Sequence, residues 1–387
     1  MKKLLILLPL CLLVFKTHAQ DNATSADSRV ITTAVPFILI AADARAAGLG
    51  DIGAATSADA FSQQWNPAKY AFAISKQGVG VTYTPYLSQL VNDIFLGNLT
   101  YYNRLNERSA VGASLRYFSL GDIELRENAT QIPLIQSPNE FTFDVSYSLR
   151  LGERFALGVA GRYLRSDLKI QASNEDASAA SSFGVDIAGY YQSEEVPFDD
   201  FDGRWRAGFN FSNIGPKIKY DEVGQENNLP TNMRLGAGFD FILDAYNKVG
   251  VTAEVNKLLV PTPQDFDNDG DIDAEDSEEY ESIGFFPGIF QSFSDAPGGF
   301  GEEVKEFTWA LGVEYWYEDV FAIRTGYFNE SEEKGSRKFL SLGAGFRYTA
   351  INIDISYLFS TSRVRSPLEG TLRFGLTFNF GDEYNEY

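Results

Sequence analysis

Leu372, Phe374, Leu376, Phe378 and Phe380 alternate with Thr371, Arg373, Gly375, Thr377 and Asn379. A period of two sends successive side chains to opposite faces of a strand. Five large apolar groups opposite an arginine, an asparagine and two threonines need hydrocarbon on one side and water or polar protein on the other. One such strand also suits a soluble sandwich. Repetition along the chain is what narrows the choice.

The same alternation recurs in Phe141 to Arg150 and Ile351 to Tyr357, each close to the 9–11 residues of a tilted spanning strand. Fourteen candidates follow from residue 78: 78–86, 93–104, 109–118, 141–151, 154–167, 182–192, 204–212, 233–243, 248–257, 305–317, 320–328, 338–348, 351–360 and 370–380. Short turns at 105–108, 152–153, 244–247, 318–319 and 349–350 alternate with longer loops at 119–140, 168–181, 213–232, 258–304, 329–337 and 361–369. The connection 193–203 is the exception, a long link where a short one is due. Outer-membrane barrels have an even strand number and keep short turns at the periplasmic end. The expectation is an all-β membrane protein, an antiparallel transmembrane barrel of about 14 strands over 78–387 with a long extracellular loop at 258–304. Both termini are then expected in the periplasm. Aromatic residues, 14% of the chain, suit the interfacial girdles of such a barrel.

Lys2 and Lys3 precede an apolar run from Leu4 to Phe15, and Thr17-His18-Ala19 precede Gln20. Residues 1–19 are therefore expected to be a secretory signal peptide. The single cysteine, Cys11, and the single histidine, His18, fall within it. An exported chain would then lack disulfides, Cys/His zinc sites and any Ser-His-Asp arrangement. Loss of Lys2, Lys3 and Lys16 takes the net charge from −21 to −24, which disfavours nucleic acid as a partner. No enzyme activity is expected, since adjacent acids such as Glu302-Glu303 are ordinarily just solvated.

Residues 20–77 lack the alternation and are rich in alanine. Ser57 is expected to cap a short helix over Asp59 to Gln64. Gly48-Leu49-Gly50-Asp51-Ile52-Gly53 matches a dinucleotide fingerprint, but no strand-helix-strand unit surrounds it, so the glycines are read as permitting tight turns. Inward-facing strand positions are small (Gly158, Ala160, Gly184, Gly208, Gly236, Gly238, Gly312, Gly343, Gly345) or charged (Arg116, Arg162, Asp186, Asp240, Glu254, Glu314, Arg324, Arg347). Space and charge together suit an interior filled by chain, and 20–77 is the available plug of short helices.

Within that plug, Asp43, Arg45, Gly48 and Gly50, then Trp65, Asn66 and Pro67, resemble the N-terminal plug of FadL-like outer-membrane barrels. The chain looks closest to the PorV branch, an outer-membrane component of type IX secretion. The resemblance implies a structural role for these residues. It also implies partners: the large translocon, cargo proteins with a C-terminal secretion domain, and the sortase-like cell-surface attachment complex, all within outer-membrane lipid. The other activity it implies is FadL-type transport of hydrophobic small molecules.

Two stretches of the long loop stand out. Asp265, Asp267, Asp269, Asp271, Asp273 and Asp276, with Gly270 at the sixth position, follow the spacing of a calcium loop, Asp276 standing where a longer Glu is usual. The competing reading is a solvated acidic loop, and no cofactor is required in either case. Phe285, Phe286, Ile289, Phe290 and Phe293 form an apolar run in a loop that ought to face water. Such a patch marks a partner contact or folds back over the barrel mouth.

Overall fold

The structure is a computed structural model describing residues 30–88, 90–126, 128, 132–168, 179–220, 226–267, 270, 272, 274–362 and 366–384. The expected signal peptide lies outside the described residues. Fourteen long strands appear: β1 (Ser75–Pro85), β2 (Ile94–Arg104), β3 (Ser109–Leu120), β4 (Asn139–Arg150), β5 (Phe155–Asp167), β6 (Ala180–Gln192) and β7 (Asp202–Ile214) form the first half. The second half is β8 (Asn232–Ile242), β9 (Asn247–Leu258), β10 (Thr308–Tyr317), β11 (Phe321–Asn329), β12 (Lys338–Tyr348), β13 (Ile351–Ser360) and β14 (Leu372–Glu383).

Each strand pairs antiparallel with its neighbours in sequence, and β14 returns to β1 through Phe378↔Val79 and Phe374↔Tyr83. The ladder therefore closes, leaving no spanning edge with unpaired backbone groups. Side chains such as Phe143, Val145, Tyr147, Leu372, Phe374 and Phe378 face outward and are exposed. Arg116, Asp144, Arg162, Asp186, Arg324 and Arg373 face inward and are buried. Apolar outside and polar inside is the reverse of a soluble core. Among the described residues no helix is long and apolar enough to cross a membrane, which says nothing of a barrel.

Strand ends differ from the sequence expectation by a few residues. β1 starts at Ser75 rather than residue 78, and β10 starts at Thr308 rather than residue 305 because Val304–Glu306 is a 3-10 turn. The long connection 193–203 contains a two-residue strand, Val196–Pro197, paired with the start of β7. Its Phe198 and Phe201 stack on each other and meet Phe239 of β8 edge-to-face. The extra length thus builds an aromatic cluster beside the wall. Near the other end, β7 pairs with β6 from Arg206↔Gln192 to Phe211↔Ile187, then skips to Ile214↔Val185. Asn213 at this bulge has a φ of 61° and is held by its N–H to Asp186 and its Nδ2 to Pro230.

The segment ahead of β1 forms a 3-10 turn at Pro36–Leu39, α1 (Ala44–Gly48), α2 (Ser62–Trp65) and a second 3-10 turn at Pro67–Phe72. It packs against the inner faces of the strands, with α1 on β12 and β13 and the second 3-10 turn on β4 and β5. The helix expected over Asp59 to Gln64 is corrected to α2, three residues further on. Ser57 does not cap it; its Oγ accepts from Arg45, while Asp59 Oδ1 accepts from the Phe61 N–H.

Candidate functional site

The plug is joined to the wall by side chains from both. Asp43 caps α1, accepting from the Ala46 N–H at 2.7 Å, and its other oxygen accepts from Trp65 Nε1 at 2.6 Å. Arg45 donates from Nε and Nη2 to Glu314 of β10 at 3.0 and 2.8 Å, and from Nη1 to Asp59 at 2.8 Å. A two-bonded arginine–carboxylate pair fixes orientation as well as distance. Arg324 of β11 donates to the same Glu314 and to Asp354 of β13, so one carboxylate serves plug and wall.

Asn66 Nδ2 bridges the Ala54 carbonyl of the plug (2.8 Å) and the Gly189 carbonyl of β6 (2.9 Å), while its Oδ1 caps the turn begun by Pro67. Glu254 of β9 accepts from the N–H groups of Gly53 and Ala54, and Arg206 of β7 donates to the Ala55 carbonyl at 2.6 Å. Inner-face glycines let the backbones touch. A Cβ on Gly326 would lie 2.0 Å from the Leu49 carbonyl carbon, and one on Gly208 would lie 2.0 Å from the Ala54 oxygen. Gly48 meets Gly343, and Gly50 turns with a φ of 87° against Tyr327. The dinucleotide-like string is thus a contact between plug and wall.

The connection between β9 and β10 contains α3 (Ala274–Ser282), α4 (Phe285–Gln291) and α5 (Phe300–Glu303). It is fastened by a buried ion cluster that the sequence gives no sign of. Lys257 Nζ lies 2.8 Å from Glu303 and 2.6 Å from Glu306, and Lys334 Nζ lies 2.7 Å from Glu302 and 2.9 Å from Glu306. Burial alone would raise the Glu306 carboxyl, but hydrogen bonds from Lys257, Thr262 and Lys334 hold it below its ordinary value. Asp295 beside it accepts from the Thr262 N–H and is pushed up, chiefly by burial. Asp295, Glu303 and Glu306 form a tight acidic group whose counter-ions are those lysines.

The apolar run is a helix. Pro287 sits in the first turn of α4, where a missing N–H costs nothing. Gly288 is buried and faces Pro261, leaving Phe286 (58% exposed) and Phe290 (64%) pointing outward with ring centroids 5.4 Å apart. Phe285 and Phe293 are also exposed, and Ile289 is half-buried.

Of the acidic-loop residues, Asp265, Asp267 and Asp276 bring carboxylate oxygens within 4.8 Å of one another. Asp269, Asp271 and Asp273 lie outside the described residues. Gly270 has a φ of 103° and donates its N–H to Asp265 at 2.9 Å, as a sharp turn at the sixth loop position demands. Asp276 falls in the first turn of α3 and accepts from the Phe266 N–H.

A cavity of about 460 Å³ separates the N-terminal segment from β8 to β11. Val30, Ile31, Leu39 and Phe328 line part of it, and the charged side chains of Asp51, Arg234, Glu306, Glu330, Lys334 and Arg337 line another part.

Residues 23–265, more than half of the chain, match the family described as Type IX secretion system protein PorV. Among solved structures, the Ralstonia pickettii toluene transporter TbuX aligns over 89% of this chain and 100% of its own, with 11% identity and a TM-score of 0.50. The Pseudomonas putida toluene transporter TodX aligns over 86% and 95%, with 12% identity and a TM-score of 0.47. At such identity the likeness to TbuX speaks for the barrel fold alone. No curated protein sequence matches the chain.

Proposed function

The chain belongs to the PorV family of type IX secretion system proteins, and from that premise we propose that it is a non-enzymatic carrier. Its outer loops bind the translocon, collect proteins bearing a C-terminal secretion domain, and pass them to the sortase-like attachment complex. The short turns and both termini face the periplasm in this reading, following the turn rhythm of outer-membrane barrels. The observation that carries it is α4, an exposed aromatic helix seated through Gly288 on Pro261, in a connection whose far end is fastened by the buried Lys257 and Lys334 cluster. Aromatic anchors on a pre-ordered surface bind without a large ordering cost.

The test is co-purification from detergent-solubilised membranes with Phe286→Ser and Phe290→Ser combined. Loss of translocon or cargo, with normal heat-modifiability of the barrel, supports the reading. Undiminished partner recovery overturns it.

FadL-type transport of hydrophobic molecules is the second reading. The cavity beside the plug favours it by volume and disfavours it by chemistry, because six charged side chains line the wall. Bound lipid or fatty acid in the purified protein would support it.

We also propose that the 265–276 loop takes Ca²⁺, which relieves the repulsion among its carboxylates and stiffens the approach to α3. Saturable terbium luminescence competed by Ca²⁺, and lost in Asp265→Asn with Asp276→Asn, is the expected result. An unchanged signal in that double variant overturns the site.

A further inference from the structure

A recess of about 160 Å³ opens at the barrel end that carries the short turns, between the plug and the strands β10 to β14. Nothing in the proposed docking of the outer loops involves it. Two of its lining groups are unsatisfied. Arg347, near the end of β12, is half-buried and stacks its guanidinium on Trp316, 4.7 Å from the ring centroid. Its Nε is buried and has no hydrogen-bond partner, and no carboxylate among the described residues pairs with it. Across the ladder from it, Asn352 has a buried Oδ1 that likewise lacks a partner.

The other charges in the recess are engaged. Arg45 is bound by Asp59 and Glu314, and Arg324 by Glu314 and Asp354. Glu383 stands at the rim. The surroundings are therefore close to neutral, so a bare anion is not held by field strength. What remains is directional: a planar fork that donates, braced on a ring, and an acceptor beside it. A buried donor or acceptor left unmade costs about 1–3 kcal/mol, so both invite a ligand that completes them together.

We infer that this recess binds a carboxylate carrying a neighbouring N–H, the chemistry of a polypeptide C-terminus. The guanidinium of Arg347 takes the carboxylate through two parallel bonds, and the Asn352 Oδ1 accepts from the adjoining amide. Trp316 offers apolar surface to the last side chain. This assignment stands whichever partner the outer loops bind.

The test uses the full chain in detergent and tryptophan fluorescence, with N-acetyl-Ala-Ala, its C-terminal amide, and acetate as probes. The free acid gives a saturable change, the amide gives none, and acetate binds at least about tenfold more weakly for want of the amide contact. Arg347→Gln loses the response, Arg347→Lys keeps a weaker one, and Asn352→Ala removes the preference for peptide over acetate. Should Arg347→Gln fail to fold, Asn352→Ala still decides the question. A response to the amide equal to that of the acid overturns the proposal, as does no saturable response in the unaltered chain. Equal binding of acetate and peptide removes the peptide assignment.

Discussion

Gly326→Ala tests the join between plug and wall most sharply. The added Cβ would lie 2.0 Å from the Leu49 carbonyl carbon and 2.2 Å from the Gly50 nitrogen, where real contacts stay beyond 3.0 Å. Both are backbone atoms, so no side chain can swing away. The plug must retreat by about 1 Å, and its hydrogen bonds to Glu314 and Glu254 stretch with it. Overpacking of this kind costs about 1–3 kcal/mol, and backbone opposition places it at the upper end. An unfolding entropy of about 2.1 cal/mol/K per residue gives about 1.2 °C per kcal/mol for 387 residues, so a loss near 3 kcal/mol lowers the melting midpoint by about 4 °C. The control is Gly161→Ala on β5, where a new Cβ meets nothing within 4 Å. It should leave the midpoint unchanged or slightly raised, since alanine restricts the unfolded chain. The assay is scanning fluorimetry in detergent beside heat-modifiability on gels. Equal midpoints for the two variants would refute the reasoning.

Three other outcomes follow from the same contacts. Asp43→Ala removes the α1 cap and the acceptor of Trp65 Nε1, for a loss of about 2–4 kcal/mol, whereas Asp43→Asn keeps one acceptor and loses less; thermal melting distinguishes them. Lys257→Met leaves Glu303 and Glu306 buried with less counter-charge, at about 3–5 kcal/mol, and limited proteolysis should cut the 263–300 connection sooner while the barrel stays intact. Glu306 is held below its ordinary range, so its contribution is complete above the usual glutamate value near 4.3 and is lost only as pH falls through the depressed one. Asp295, pushed up by burial, protonates first, and that step relieves a buried charge and so adds stability as pH falls. Protease protection of the connection should therefore persist to pH 4.3; loss already near pH 6 would contradict this.

The barrel was legible because its cause is local. Alternation between Phe143, Val145 and Tyr147 and their inward neighbours fixes a strand without reference to the rest of the chain, and turn length fixes the pairing of neighbours. The lumen was legible in kind, since Gly208, Gly312 and Gly343 left room and Glu254 and Glu314 needed partners. Which atoms they meet was not, because Arg45 and Glu314 are 269 residues apart. Helix limits in the plug failed where side chains serve the wall instead of the helix, as Ser57 does for Arg45. The run from Phe285 to Phe293 carried no helical stripe, and Pro287 and Gly288 argued against a helix that its docking on Pro261 supports. The Lys257 cluster was invisible for the same reason as Arg45: its members come together only when the connection has folded back on the barrel rim.

The most direct measurement is electrical. If the segment between residues 30 and 74 fills the lumen as its bonds to β7, β9 and β10 require, the purified chain inserted in a planar bilayer should pass little current at either polarity. A large, steady single-channel conductance would mean an open pore and would contradict the account.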